Sequence, residues 1–83
     1  MGIFSQDRLD QIWDKGTIIP GKNPDLYRAD KFGNTMYKPS YGLYSPMGWN
    51  VDHSKPQAEG GTNHLNNLRP MNSRANCSKG DKY

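Results

Sequence analysis

Glycine or proline interrupts this chain every few residues from Gly16 to Gly61, which limits it to short elements joined by loops. Nine glycines and six prolines in 83 residues, with hydrophobic residues at only 33%, suit one domain with a thin core. A domain this small buries roughly 60% of its unfolded surface and often needs a staple. The usual staples are missing from the sequence. Cys77 is the single cysteine, so no internal disulfide can close and no CxxC pair exists to grip a structural zinc. A lone thiol suits a reducing compartment. No apolar run approaches the roughly 18 residues that cross a bilayer. The start, MGIFSQDRLDQIW, lacks the basic-then-apolar signature of a secretory leader, and Gln6 stands where a myristoylation site needs Ser or Thr. The expectation is a soluble protein of the cytoplasm.

Residues 5–15 read as an amphipathic helix. Ser5 is the N-cap, Phe4 and Leu9 form a staple across it, Leu9, Ile12 and Trp13 share one face, and Gly16 ends it. The segment TIIPGKNPD reads as an irregular link, with Ile18 and Ile19 covering the core. Leu26 to Arg28 and Thr35 to Lys38 flank a turn at 30–34 and predict a hairpin. The loop that follows holds Tyr41 and Tyr44; together with Tyr37 they are expected to pack over the core, stacking on bases being the alternative. Trp49 to Asp52 alternates apolar and polar, as a half-buried strand does. Ser54 to Asn67 must be a structured loop, Leu68 to Met71 a second strand, and Ser73 to Lys79 a helix capped by Asn72 and ended by Gly80. That helix has almost no apolar face beyond Ala75, so something other than burial must hold it. Trp13 and Trp49 are assigned to the core.

Charge is unevenly placed. Residues 1–68 carry seven Lys or Arg and seven Asp or Glu, whereas Arg69, Arg74, Lys79 and Lys82 against Asp81 supply the whole net +3 of the chain. A clustered basic end suits a phosphate-backbone binder; it also suits a solvated tail.

Asp52 and His53 are adjacent where a strand gives way to a loop. A regular strand points neighbours to opposite faces, so both can serve one site only if the strand breaks there, and Ser54, Lys55 and Pro56 favour such a break. Asn67 follows fourteen residues after His53 and Asn76 nine after that.

The stretch WNVDHSKPQAEGGTNHLNNLRPMNSRANCSKGD resembles the HNH endonuclease motif. The likeness rests on Asp52-His53, Pro56, Gly60-Gly61, Asn67-Leu68, Pro70, and Asn76 followed by Ser78-Lys79-Gly80. A wider likeness to bacterial and phage HNH proteins takes in IWDKGTIIPGKNPDLYRADKFGN and Gly48-Trp49, so it spans roughly residues 12–81. The resemblance implies an α+β fold, the ββα-metal unit or His-Me finger, with an N-terminal helix and an added β-hairpin. One nuclease domain then occupies 1–83: helix and linker over 1–27, hairpin and loop over 28–47, ββα-metal core over 48–80.

It implies a role for each matched residue. Phosphodiester cleavage needs an activated water, relief of charge on the phosphoryl oxygens and a stabilised leaving oxygen. His53 would take the water's proton, as an imidazole titrating near neutrality can. Asp52 and Asn76 would hold one divalent ion, and two hard oxygens that leave the remaining positions to water and phosphate suit Mg²⁺ or Mn²⁺. Asn67 would pin the loop to backbone near His53, because an amide donates and accepts together. Arg69, Arg74 and Lys79 would contact phosphates of double-stranded DNA, with little sequence specificity. Arg28 matches the wider group, either binding DNA or bracing Asp30. His64 is expected to face solvent and Cys77 to pack inward.

The chain departs from relatives with two CxxC pairs, so no structural zinc is expected and the N-terminal helix must hold the finger. Gly80 stands where some members place a second histidine, which points to weak Mg²⁺ or Mn²⁺ binding. Two other classes stay open: a DNA-binding module that has lost turnover, and a structural metal protein using Asp52, His53, His64 and Cys77.

Overall fold

The computed structural model describes residues 4–78. Its first element, α1 (Gln6–Trp13), is shorter than the expected helix. Ser5 caps it by accepting from the backbone N–H of Arg8, and the following turn already closes at Asp14 and Lys15 before Gly16. Leu9, Ile12 and Trp13 are its buried face. Each such side chain contributes about 1.5–3 kcal/mol by leaving water.

Strands β1 (Thr17–Ile18), β2 (Tyr27–Ala29) and β3 (Thr35–Tyr37) form an antiparallel sheet in that order. The first of these corrects the reading of TIIPGKNPD as wholly irregular: Thr17 and Ile18 lie opposite Ala29 and Arg28. Pairing along the edge turns Ile18 outward, so it does not cover the core. The second hairpin arm stops at Tyr37 because Lys38–Ser40 turns into one round of 3₁₀ helix around Pro39.

A separate two-stranded antiparallel sheet joins β4 (Trp49–His53) to β5 (Leu68–Asn72), and α2 (Ser73–Ser78) follows directly. The fold is α+β. The core unites Leu9, Ile12 and Trp13 with Met36, Trp49, Val51 and Leu68, while Phe4, Tyr41 and Leu65 close its margin. Trp13 and Trp49 meet with centroids 5.1 Å apart, and Tyr41 lies 4.9 Å from Trp49. Tyr37 packs on Tyr27 at 5.0 Å. Tyr44 departs from its tyrosine neighbours: it is 65% exposed, with the Arg74 guanidinium 5.3 Å above its ring.

Two cations of α1 and its following turn hold the loop before β5. Arg8 Nη2 donates to the carbonyl of Asn63 at 2.6 Å, and Lys15 Nζ donates to the carbonyls of Leu65 and Leu68. Burial and the nearby Arg69 charge lower the pKa of Lys15 from its ordinary value. Arg28 braces the end of α1 and not Asp30: its guanidinium donates to the carbonyls of Pro24, Asp14 and Gly16. Among the described residues, no helix is long and apolar enough to cross a membrane.

Candidate active site

β4 carries Asp52 and His53 as its last two residues. Opposite them on β5 stand Arg69 and Leu68. The strand does not break between the two residues, as the sequence had suggested; it pairs through His53, and the bend comes at Ser54. Alternation therefore operates. Trp49 and Val51 enter the core, and Asn50 faces α2, where its Nδ2 donates to Ser73 Oγ at 3.1 Å. Asp52 shares the Asn50 side of the strand and His53, at the last position, takes the opposite side. The break expected from the sequence is thus not found between them, and the pair could meet only around the end of the strand, where the chain bends at Ser54.

The loop from Ser54 to Asn67 folds back on itself. Gly61 makes the return possible: a Cβ there would lie 1.7 Å from the Lys55 carbonyl oxygen. Asn67 closes the loop. Its Oδ1 accepts from the backbone N–H of Lys55 at 2.8 Å, and its Nδ2 donates to the carbonyls of Lys55 and Thr62 at 3.1 and 2.8 Å. Its own carbonyl accepts from Ser54, the residue after His53, at 2.8 Å.

α2 is held by polar contacts. The Asn72 side-chain oxygen accepts from the backbone of Arg74 and Ala75, and Ser73 N–H donates to the Gly48 carbonyl. Gly48 must lack a side chain, since a Cβ would sit 1.9 Å from the Leu43 oxygen. So anchored, α2 packs across β4 and β5 and buries Asn76 against the two strands that carry Asp52, His53 and Arg69. Cys77, expected inward, is exposed, because Asn76 takes the inward position at that turn.

Asp52 is fully buried, and its Oδ2 accepts from Arg69 Nε at 2.7 Å. Arg69, read from the sequence as a phosphate contact, thus spends part of its guanidinium on Asp52, and it also lies 5.7 Å over the exposed ring of Phe32. His53 is 5% exposed; its Nε2 lies 2.7 Å from Asn63 Oδ1, and its Nδ1 is buried without a hydrogen-bond partner. Asn76 is 0% exposed, and neither its Oδ1 nor its Nδ2 has a hydrogen-bond partner among the described residues. An unpaired buried polar group costs about 1–3 kcal/mol, so three such atoms on two residues call for an explanation.

The donor chemistry suits a hard divalent cation. A carboxylate oxygen and an amide oxygen are hard donors of the kind that Mg²⁺ and Mn²⁺ take, with water filling the remaining positions. No group of three or more His, Cys, Asp or Glu comes together among the described residues. His64 and Cys77 are both exposed, so the structural-metal set of Asp52, His53, His64 and Cys77 does not assemble.

An open cleft of about 400 Å³ lies beside the site, bordered by Lys15, Lys31, Arg69 and Ser54, with Asp30 also on its wall. Sequence reasoning missed Lys15 and Lys31, and also Asn63. The lysines sit in ordinary solvated contexts in the sequence, and Asn63 meets His53 only once the loop has folded. Arg74 is at the α2 surface; Lys79 lies outside the described residues. Comparison with protein families, with curated proteins and with solved structures finds no match to this chain.

Proposed function

We propose that this protein is a metal-dependent endonuclease of the HNH type, with β4, β5 and α2 as its ββα-metal core, that hydrolyses phosphodiester bonds in double-stranded DNA with little sequence specificity. The observation that carries the reading is the set of buried, unbonded atoms, His53 Nδ1 and the Asn76 amide, on the same strand-and-helix unit as buried Asp52.

His53 is the general base that takes the proton from the attacking water. Asn67 keeps the loop after His53 closed, so the ring is held where the water must be; small errors of placement are costly in rate. Asp52 and Asn76 hold one Mg²⁺ or Mn²⁺. When bound, that ion supplies charge stabilisation to the phosphoryl oxygens and the departing 3′ oxygen. Arg69 keeps the Asp52 carboxylate oriented and counterbalanced. The cleft cations Lys15, Lys31 and Arg69, with Arg74 and Lys79, carry the flanking phosphates; most of the affinity then comes from the backbone, which accounts for low specificity. The lone thiol of Cys77 is in keeping with work in the cytoplasm, the host's if the chain is phage-encoded.

The test is plasmid cleavage. Purified protein should nick supercoiled DNA with Mg²⁺ or Mn²⁺ and stop on addition of EDTA. His53→Ala should lose this activity by about 10²-fold or more while keeping the wild-type circular dichroism and DNA retention. Equal cutting by His53→Ala would remove the assignment. DNA retention without cleavage by the wild type would favour a binding module.

A further inference from the structure

We infer that Asn63 is a positioning residue that sets the tautomer of His53, so that Nδ1 is the nitrogen that accepts the water's proton; this rests on the nuclease reading above for its catalytic meaning, though not for its structural content. Asn63 Oδ1 lies 2.7 Å from His53 Nε2. An amide oxygen has lone pairs and no hydrogen, so a bond of that length requires Nε2 to carry the proton. In the neutral ring Nδ1 is then left with its lone pair. That nitrogen has no hydrogen-bond partner among the described residues, which leaves its lone pair available to accept a proton. Gln57 supports the same orientation of the amide: its Nε2 approaches the same Asn63 oxygen at 3.5 Å.

The loop around Asn63 is tied from two sides, which gives the side chain something to push against. Arg8, on α1, donates to the Asn63 carbonyl at 2.6 Å. Next to it, Thr62 accepts from Asn67 Nδ2 at 2.8 Å. The asparagine that closes the loop therefore also holds the segment that orients the base. α1 reaches the site through one cation, and so contributes to catalysis as well as to the core. A side-chain acceptor on a tethered loop fixes both ring rotation and proton position, the two properties a general base needs.

Nitrogen-15 NMR of the histidine rings tests this directly, since the two ring nitrogens shift apart according to which bears hydrogen. At a pH where His53 is neutral, the wild type should show a protonated Nε2 and a bare Nδ1. Asn63→Asp keeps an acceptor oxygen and should keep that pattern. Asn63→Leu removes the acceptor and should give averaged shifts for the two nitrogens. In plasmid cleavage Asn63→Leu should lower kcat by about 10–100-fold with KM little changed, and Asn63→Asp should retain most of the rate. A wild-type ring protonated on Nδ1, or an Asn63→Leu ring indistinguishable from wild type, overturns the assignment. So does an unchanged kcat in Asn63→Leu. If the wild type shows the stated tautomer but no DNA cleavage, the nuclease reading fails while the role of Asn63 in holding the ring stands.

Discussion

Two clusters of buried polar side chains flank the β4–β5 pair, and they are resolved in opposite ways. In one, Asp30 and Asn72, with the half-buried Asn34 beside them, account for their bonds. Asp30 Oδ1 accepts from the backbone of Phe32 and Asn34, and Oδ2 from the backbone of Asn72 at 3.1 Å. Asn72 donates to the carbonyls of Thr35 and Pro46 and caps α2 with its oxygen. In the other cluster, His53 and Asn76 are just as buried, yet three polar atoms have no partner. A thin core gains stability from the first arrangement and loses it to the second. Polar burial that is fully bonded ties the hairpin, the Tyr44 loop and α2 together. Polar burial left unbonded costs stability and ties nothing together.

Substitutions should separate the two clusters. The largest expected effect is Asn72→Leu, which strands the carbonyls of Thr35 and Pro46 and uncaps the first turn of α2. It should destabilise by about 3 kcal/mol or more, lowering Tm by well over ten degrees at about 4–8 °C per kcal/mol. Thermal unfolding by circular dichroism measures this, and a Tm within a few degrees of wild type would erase the structural role of the bonded cluster.

Arg69→Met comes next. It takes the Arg69 guanidinium from the fully buried Asp52, and removal of one partner of a buried ion pair is costly, here about 2–3 kcal/mol because Arg69 remains partly exposed. The loss should be partly recovered by millimolar Mg²⁺, which the wild type needs less for stability. Melting curves with Mg²⁺ and with EDTA make the comparison, and equal loss in both would detach Asp52 from metal binding.

Asn76→Leu should have the smallest effect on stability and the opposite sign. An apolar side chain of similar size relieves two unpaired polar atoms, so the variant should melt at or above the wild-type temperature, by about 1 kcal/mol, while losing cleavage. Destabilisation of Asn76→Leu to the level of Asn72→Leu would merge the two clusters and sink the distinction.

Much of this arrangement was legible in the sequence where short-range rules operate. Ser5 and Asn72 are caps because their side chains reach backbone two or three residues on, and the α1 face of Leu9, Ile12 and Trp13 follows from helical period. The clamp of Asn67 on the loop after His53 agrees with the motif's spacing. What escaped depends on partners far along the chain. The strand at Thr17–Ile18 exists because Ala29 and Arg28 lie beside it, and nothing within TIIPGKNPD announces them. The persistence of β4 through His53 is set by Leu68 across the ladder, against the local signal of Ser54 to Pro56. Arg69 looked like a surface cation until its cross-strand neighbour was known to be Asp52. Cys77 faces outward because Asn76 faces inward, a choice the helix could not declare from its few apolar residues.

The most direct test asks whether the Asn76 amide oxygen and the Asp52 carboxylate receive an ion. Electron paramagnetic resonance of free Mn²⁺ during titration with protein should show one ion bound per wild-type chain, competed by Mg²⁺, with binding lost in Asn76→Leu. A wild-type protein that leaves the Mn²⁺ signal untouched, or an Asn76→Leu protein that binds as well as wild type, would contradict the account.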